Sequence, residues 1–139
     1  MTADKKKFLL AFLAYLLITF VIATTWHLVL FKNLYLSAGM RRQPLMQLGI
    51  LSMLIQAFLL ALLYPRFRGA GTPALEGLKF GVLMGLFMGS YGVLAEAGKF
   101  DIGPVGTFIA AEGAFFLLQF AIVGTVIGLV YGRASAATT

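Results

Sequence analysis

Four apolar runs, Phe8 to Phe31, Leu45 to Tyr64, Leu75 to Ala97 and Thr107 to Tyr131, take up most of this 139-residue chain. A helix rises about 1.5 Å per residue and needs about 20 apolar residues to cross a hydrocarbon core about 30 Å thick, so each run meets the length test for a membrane span. Only 12% of the residues are charged and mean hydropathy is +0.94, against about 25% charged residues in an ordinary soluble domain. Too few charges remain to build a water-facing surface. The expected fold is all-α: one membrane domain over 1–139, an integral four-helix bundle.

Breakers separate the runs. Pro65 stops the second, and Arg66-Phe67-Arg68-Gly69-Ala70-Gly71-Thr72-Pro73 combines charge with glycine and proline. Asp101 to Gly106 reads as a tight reversal. Lys32 to Pro44 carries Leu34, Tyr35, Leu36 and Met40 and reads as a short amphipathic piece in the headgroup layer. Ala134 to Thr139 is a small polar tail expected to fray. The first run has the basic start of a signal peptide, but its apolar stretch exceeds the usual 7–15 residues and it lacks a clean Ala-x-Ala site, so it is expected to be retained.

The formal charge of +6 and pI near 9.9 do not point to nucleic acid, because the cations are strewn between apolar runs. In a four-pass chain Lys5, Lys6, Lys7, Arg66, Arg68, Lys79 and Arg133 fall on one side, and Lys32, Arg41, Arg42 and Lys99 on the other. That bias, seven against four, favours both termini in the cytoplasm. With no cysteine, disulfides, thiolate catalysis and cysteine-bound metals are excluded.

Glycines recur at every fourth position: Gly77, Gly81, Gly85 and Gly89 in the third run, Gly124, Gly128 and Gly132 in the fourth. Four residues advance a helix by about 400°, so each row drifts only about 40° per step and stays one ribbon. In lipid such a ribbon lets backbones approach closely. The rows are expected to join helices within the bundle or to pair copies in a homo-oligomer; the alternative is that bare backbone lines a solute path.

Polar residues at membrane depth are functional candidates, because burying charge is costly. His27 and Glu112 lie about 6–8 Å below the surface remote from the termini, Glu96 ends the third run at that face, and Tyr91 is a little deeper. This set, His27, Glu96, Glu112 and Tyr91, is the candidate ion or solute site. A structural account stands beside it: Glu96 paired with Lys99, Trp26 and His27 in an interfacial aromatic belt, Glu112 snorkelling or protonated. One histidine cannot supply both axial ligands of a haem within one chain, and one histidine with two distant carboxylates is a weak metal signal. Proton relay or cation binding demands least. Gln56 and Gln119 are expected to share an interhelical hydrogen bond, and Glu76 with Lys79 an (i, i+3) charge pair. The methionines read as core filling. No nucleotide loop, zinc signature or nucleophile motif occurs, and no cofactor is expected.

Trp26-His27 followed by a short basic loop, Leu63-Tyr64-Pro65, Phe80-Gly81-x-x-x-Gly85 and the closing Val130-Tyr131-Gly132 resemble small four-helix bacterial inner-membrane proteins grouped as domains of unknown function. The resemblance implies fold and membrane, and transfers no catalytic residue, substrate or cofactor. The expected function is a non-enzymatic structural or accessory membrane protein whose partner is the lipid bilayer. The alternative is a small proton, cation or polar-solute carrier or channel using Glu112, Glu96 and His27, with an enzyme or metal protein ranking third.

Overall fold

A computed structural model describes residues 3–133, among which helices and connectors occur without strands; the tail from Ala134 to Thr139 lies outside the described residues. Helix α1 (Ala3–Thr25) continues through a wide π-helical turn, Trp26–Leu30, into the short α2 (Lys32–Ser37). Then come α3 (Met46–Phe67) and α4 (Pro73–Gly89), the latter running through a second π-helical turn, Ser90–Ala95, into α5 (Glu96–Lys99); α6 (Val105–Tyr131) closes the chain. Among the described residues four stretches are long and apolar enough to cross a membrane: Asp4–Leu30, Met46–Phe67, Pro73–Lys99 and Val105–Tyr131. Their outward faces remain apolar, as at Leu17 and Phe87, about 70% exposed (69% and 70%). Such faces suit hydrocarbon, and the chain is an all-α membrane protein.

Successive spans alternate in direction, which gives the bundle two ends. The start of α1, the α3–α4 connector and the end of α6 share the first, which we call the basic end. The α1–α3 and α5–α6 connectors share the second, which we call the acidic end after Glu96, Asp101 and Glu112, although Lys32, Arg41, Arg42 and Lys99 also lie there.

Local chemistry explains where helices start and stop. Pro73 opens α4 where its missing N–H costs nothing. Gly39, at φ 94°, ends α2 in a fold-back in which Met40 N donates to Tyr35 O (2.8 Å) and Gly39 N to Leu36 O (3.2 Å), a turn that needs a left-handed residue. Gly132, at φ 70°, ends α6, and open space surrounds the position of its missing side chain, so it stands apart from the other glycines of its row.

Pro65 does not stop α3, which runs on to Phe67. Proline in a helix leaves the carbonyl four residues earlier without its backbone donor. Here that carbonyl, Ala61 O, accepts the Tyr131 hydroxyl at 2.6 Å from α6. The side chain replaces the lost hydrogen bond, and α3 completes its last turn.

The most extensive helix contact joins α4 to α6, while α1 lies against both α6 and α3. A methyl group on Gly124 would come within 2.5 Å of the Gly77 carbonyl oxygen and of Gly81 Cα; one on Gly77 would lie 2.9 Å from Gly128 Cα. Gly85 and Gly89 face Phe116 at 3.0 and 3.2 Å by the same measure. Backbone thus lies against backbone along this seam. Beside it Tyr15, Tyr64, Val123 and Ile127 fill a core that excludes solvent. Gln56 and Gln119 do not bond to each other: Gln56 accepts from Tyr15 of α1, and Gln119 donates to Thr19 at 3.5 Å, so α1 takes both amides.

Candidate functional site

At the acidic end the π-helical turn closes with Phe31 N donating to Trp26 O at 2.9 Å, a five-residue step that admits one extra residue into the helix. His27 sits in that turn. Its Nδ1 lies 3.0 Å from the Ala23 carbonyl, which can only accept, so Nδ1 carries a proton. The opposite ring nitrogen, Nε2, lies 3.3 Å from Glu112 Oε2 on α6. The Tyr35 hydroxyl donates to the same oxygen, and the Gly39 turn that ends α2 fixes Tyr35 over it.

A hydrogen bond across this contact needs one proton between the two groups. With Nδ1 already protonated, the Nε2–Oε2 contact holds either an imidazolium beside a carboxylate or a neutral imidazole beside a carboxylic acid, and both have zero net charge. Tyr35 remains the donor in either case. Burial, and then the neighbouring Glu112 carboxyl, push its phenol well above the ordinary tyrosine range.

Aromatic rings shield the pair. The His27 ring meets Phe115 edge-on at 4.4 Å and lies 4.3 Å from Tyr35, which in turn meets Phe108 edge-on at 6.2 Å. Solvent reaches only 23% of the His27 side chain and 13% of that of Glu112. Trp26, the only tryptophan, stacks obliquely on Phe31 at 4.7 Å, and its buried indole N–H approaches Tyr35 outside hydrogen-bond geometry.

Above the pair opens a cavity of about 530 Å³, whose lining includes His27, Tyr35 and Glu112 together with Glu96, Asp101, Phe100 and Phe108. Three of the chain's five acidic residues therefore face one space. Glu96 lines this cavity and is not paired with Lys99, whose ammonium donates to the Tyr91 hydroxyl at 3.2 Å and lies 4.8 Å from the Tyr91 ring centre. Tyr91 is 67% exposed and outside the cavity. Of the four residues read from sequence, His27 and Glu112 touch, Glu96 shares their cavity and Tyr91 does not.

Tyr35 and Asp101 complete the site without having been read as part of it. Tyr35 lies in a basic connector whose apolar content suits the headgroup layer, and Asp101 in a turn where aspartate is common. Neither residue carries a local signal of depth. Among the described residues no three of His, Asp and Glu are grouped as a metal would need. No family model, curated protein or solved structure matches the chain.

Proposed function

We propose that this is a non-enzymatic accessory protein of a bacterial inner membrane, with both termini in the cytoplasm, that binds a small cation at its outer face in exchange for a proton. The observation that carries the reading is the 3.3 Å contact between His27 Nε2 and Glu112 Oε2 at the floor of a cavity that Glu96 and Asp101 also line. A sodium ion or protonated amine entering the cavity competes with the imidazolium for the Glu112 carboxylate. The imidazolium then gives its Nε2 proton to water, and the charge of the occupied site is unchanged. Tyr35 holds the carboxylate in place, and the flanking rings favour a cation over an anion.

The packing below the site supports a binding role over free conduction. Phe115, Gln119, Phe120 and Val123 of α6 are buried beneath Glu112, and Tyr15 of α1 is buried beside them. We read the α4 and α6 glycine rows as a seam within one chain, so the proposal requires no second copy.

Trp26 offers a direct test. In detergent, sodium or methylammonium should change its fluorescence saturably, with tighter binding at higher pH, and Glu112→Gln should weaken binding at least tenfold. A response unchanged by Glu112→Gln, or none in the wild type, would sink the reading.

A second reading, a proton or cation carrier, is favoured by polar side chains that continue inward from the site. Gln119 donates to Thr19, Tyr15 to Gln56, and Gln56 to Ser52 at 3.4 Å. Glu112-dependent proton flux into proteoliposomes would favour this reading over the first.

A further inference from the structure

The basic end contains a cavity of about 580 Å³ between the first turns of α1 and the last turn of α3, closed on one side by Tyr131 of α6. Lys5, Lys7, Arg66 and Arg68 line it, with Asp4 as the one acid. Their hydrogen bonds go to neutral groups. The Lys7 ammonium donates to the Tyr131 carbonyl at 2.8 Å, the Arg68 guanidinium to the Tyr131 and Gly132 carbonyls at 3.4 Å each, and the Arg66 guanidinium to Leu62 O of its own helix at 2.8 Å. Among the described residues none of the four cations has a carboxylate within ion-pair distance. Four positive charges thus share a space with one negative charge, and carbonyls orient three of them without neutralising any.

The rest of the wall is apolar: Phe8, Ala61, Leu62 and Pro65. From it the outer faces of α1 and α3 descend as exposed hydrocarbon through Leu9, Leu13 and Phe58. Cations around a cavity roomy enough for a lipid headgroup, continuous with an apolar strip, match a molecule with an anionic head and hydrocarbon tails. Free phosphate has no use for the strip, and a zwitterionic lipid brings a cation of its own into the cluster.

We propose that this cavity binds the headgroup phosphate of an anionic glycerophospholipid, seated among Lys5, Lys7, Arg66 and Arg68, with its acyl chains along Phe8 and Leu62. Lys7 and Arg68 also hold the end of α6, whereas Lys5 and Arg66 make no bond to another helix, so the last two can be neutralised without loosening the bundle. Each cation near a membrane surface contributes about fivefold to the binding of an anionic lipid.

The full chain in detergent can be challenged with phosphatidylglycerol, phosphatidylcholine or inorganic phosphate and examined by native mass spectrometry and thermal unfolding. The wild type should retain one phosphatidylglycerol in preference to phosphatidylcholine, and millimolar inorganic phosphate should not displace it. The double variant Lys5→Gln/Arg66→Gln should lose retention by at least tenfold at an unchanged unfolding midpoint in lipid-free detergent; Lys32→Gln/Arg41→Gln, at the other end, should retain lipid normally. Should the double variant fail to fold, Lys5→Gln and Arg66→Gln taken singly should each weaken retention about fivefold. Equal retention of both lipids, displacement by phosphate at lipid-like concentrations, or variants that hold the lipid as well as the wild type would overturn the proposal.

Discussion

The two ends of the bundle use charge in opposite ways. At the basic end, ammonium and guanidinium groups lie against the backbone carbonyls that finish α6, and the α3–α4 connector is stapled by Glu76, which accepts from Gly69 N and from Lys79 Nζ, both at 2.9 Å. Lys79 itself is 61% exposed, so water and ions screen this pair. At the acidic end the paired groups are His27 and Glu112, both mostly shielded, and both wide helical turns lie near them. Charge anchors helix ends where water is plentiful. Where water is scarce it needs a specific partner, and the position of one proton then matters.

The seam that holds the ends in register gives the largest expected effect. Gly81→Leu should remove the folded protein from detergent or lower its stability by at least about 3 kcal/mol, because the new side chain meets the Phe120 and Gly124 backbone rather than a movable group. Gly113→Ala, at a site with open space around it, should be neutral or gain up to about 1 kcal/mol. If thermal unfolding shows equal effects for the two, the seam is not what joins the ends.

Glu112→Gln should separate the ends functionally. Cation response at Trp26 should fall at least tenfold while phosphatidylglycerol retention stays as in the wild type. Loss of both would mean that the ends are coupled or that the bundle has been disturbed.

Tyr131→Phe probes the basic end with a smaller effect. It should cost about 1–2 kcal/mol, since the Ala61 carbonyl is left without a donor. In a Pro65→Ala background the restored backbone N–H at position 65 can serve that carbonyl, so the same substitution should cost less. Equal costs in the two backgrounds would show that the hydroxyl does not replace the missing helix bond.

The smallest effect is alkaline. The folded Tyr35 phenol keeps its proton to higher pH than an unfolded one, so its contribution is complete below about pH 10 and declines as pH rises beyond it. Tyr35→Phe should flatten the loss of stability on that limb, measured by unfolding at successive pH values. An unchanged slope would remove Tyr35 from the pair's surroundings.

Much of the fold is legible in the chain because hydrophobic length and breaker residues act locally. The runs at 8–31 and 107–131 fall on α1 with its wide turn and on α6. Pro65 misleads because the group that rescues its helix, Tyr131, lies on another span. The same reason limits the site. His27 and Glu112 stand out as ionisable groups in apolar runs, whereas Tyr35 and Asp101 gain meaning only when α2 and the α5–α6 connector fold over them. Gln56 and Gln119 show the converse: matched depth on two helices does not make partners when α1 stands between them with Tyr15 and Thr19.

The contrast between the ends requires that they lie on opposite faces of one membrane, and the absence of native cysteine makes that directly measurable. Single cysteines replacing Ala70, in the α3–α4 connector, and Ser37, at the end of α2, can be labelled in sealed vesicles with an impermeant maleimide. Labelling of Ser37→Cys from the outer side only, and of Ala70→Cys from the inner side only, is the expected result. Labelling of both from the same side would contradict the four crossings on which the account rests.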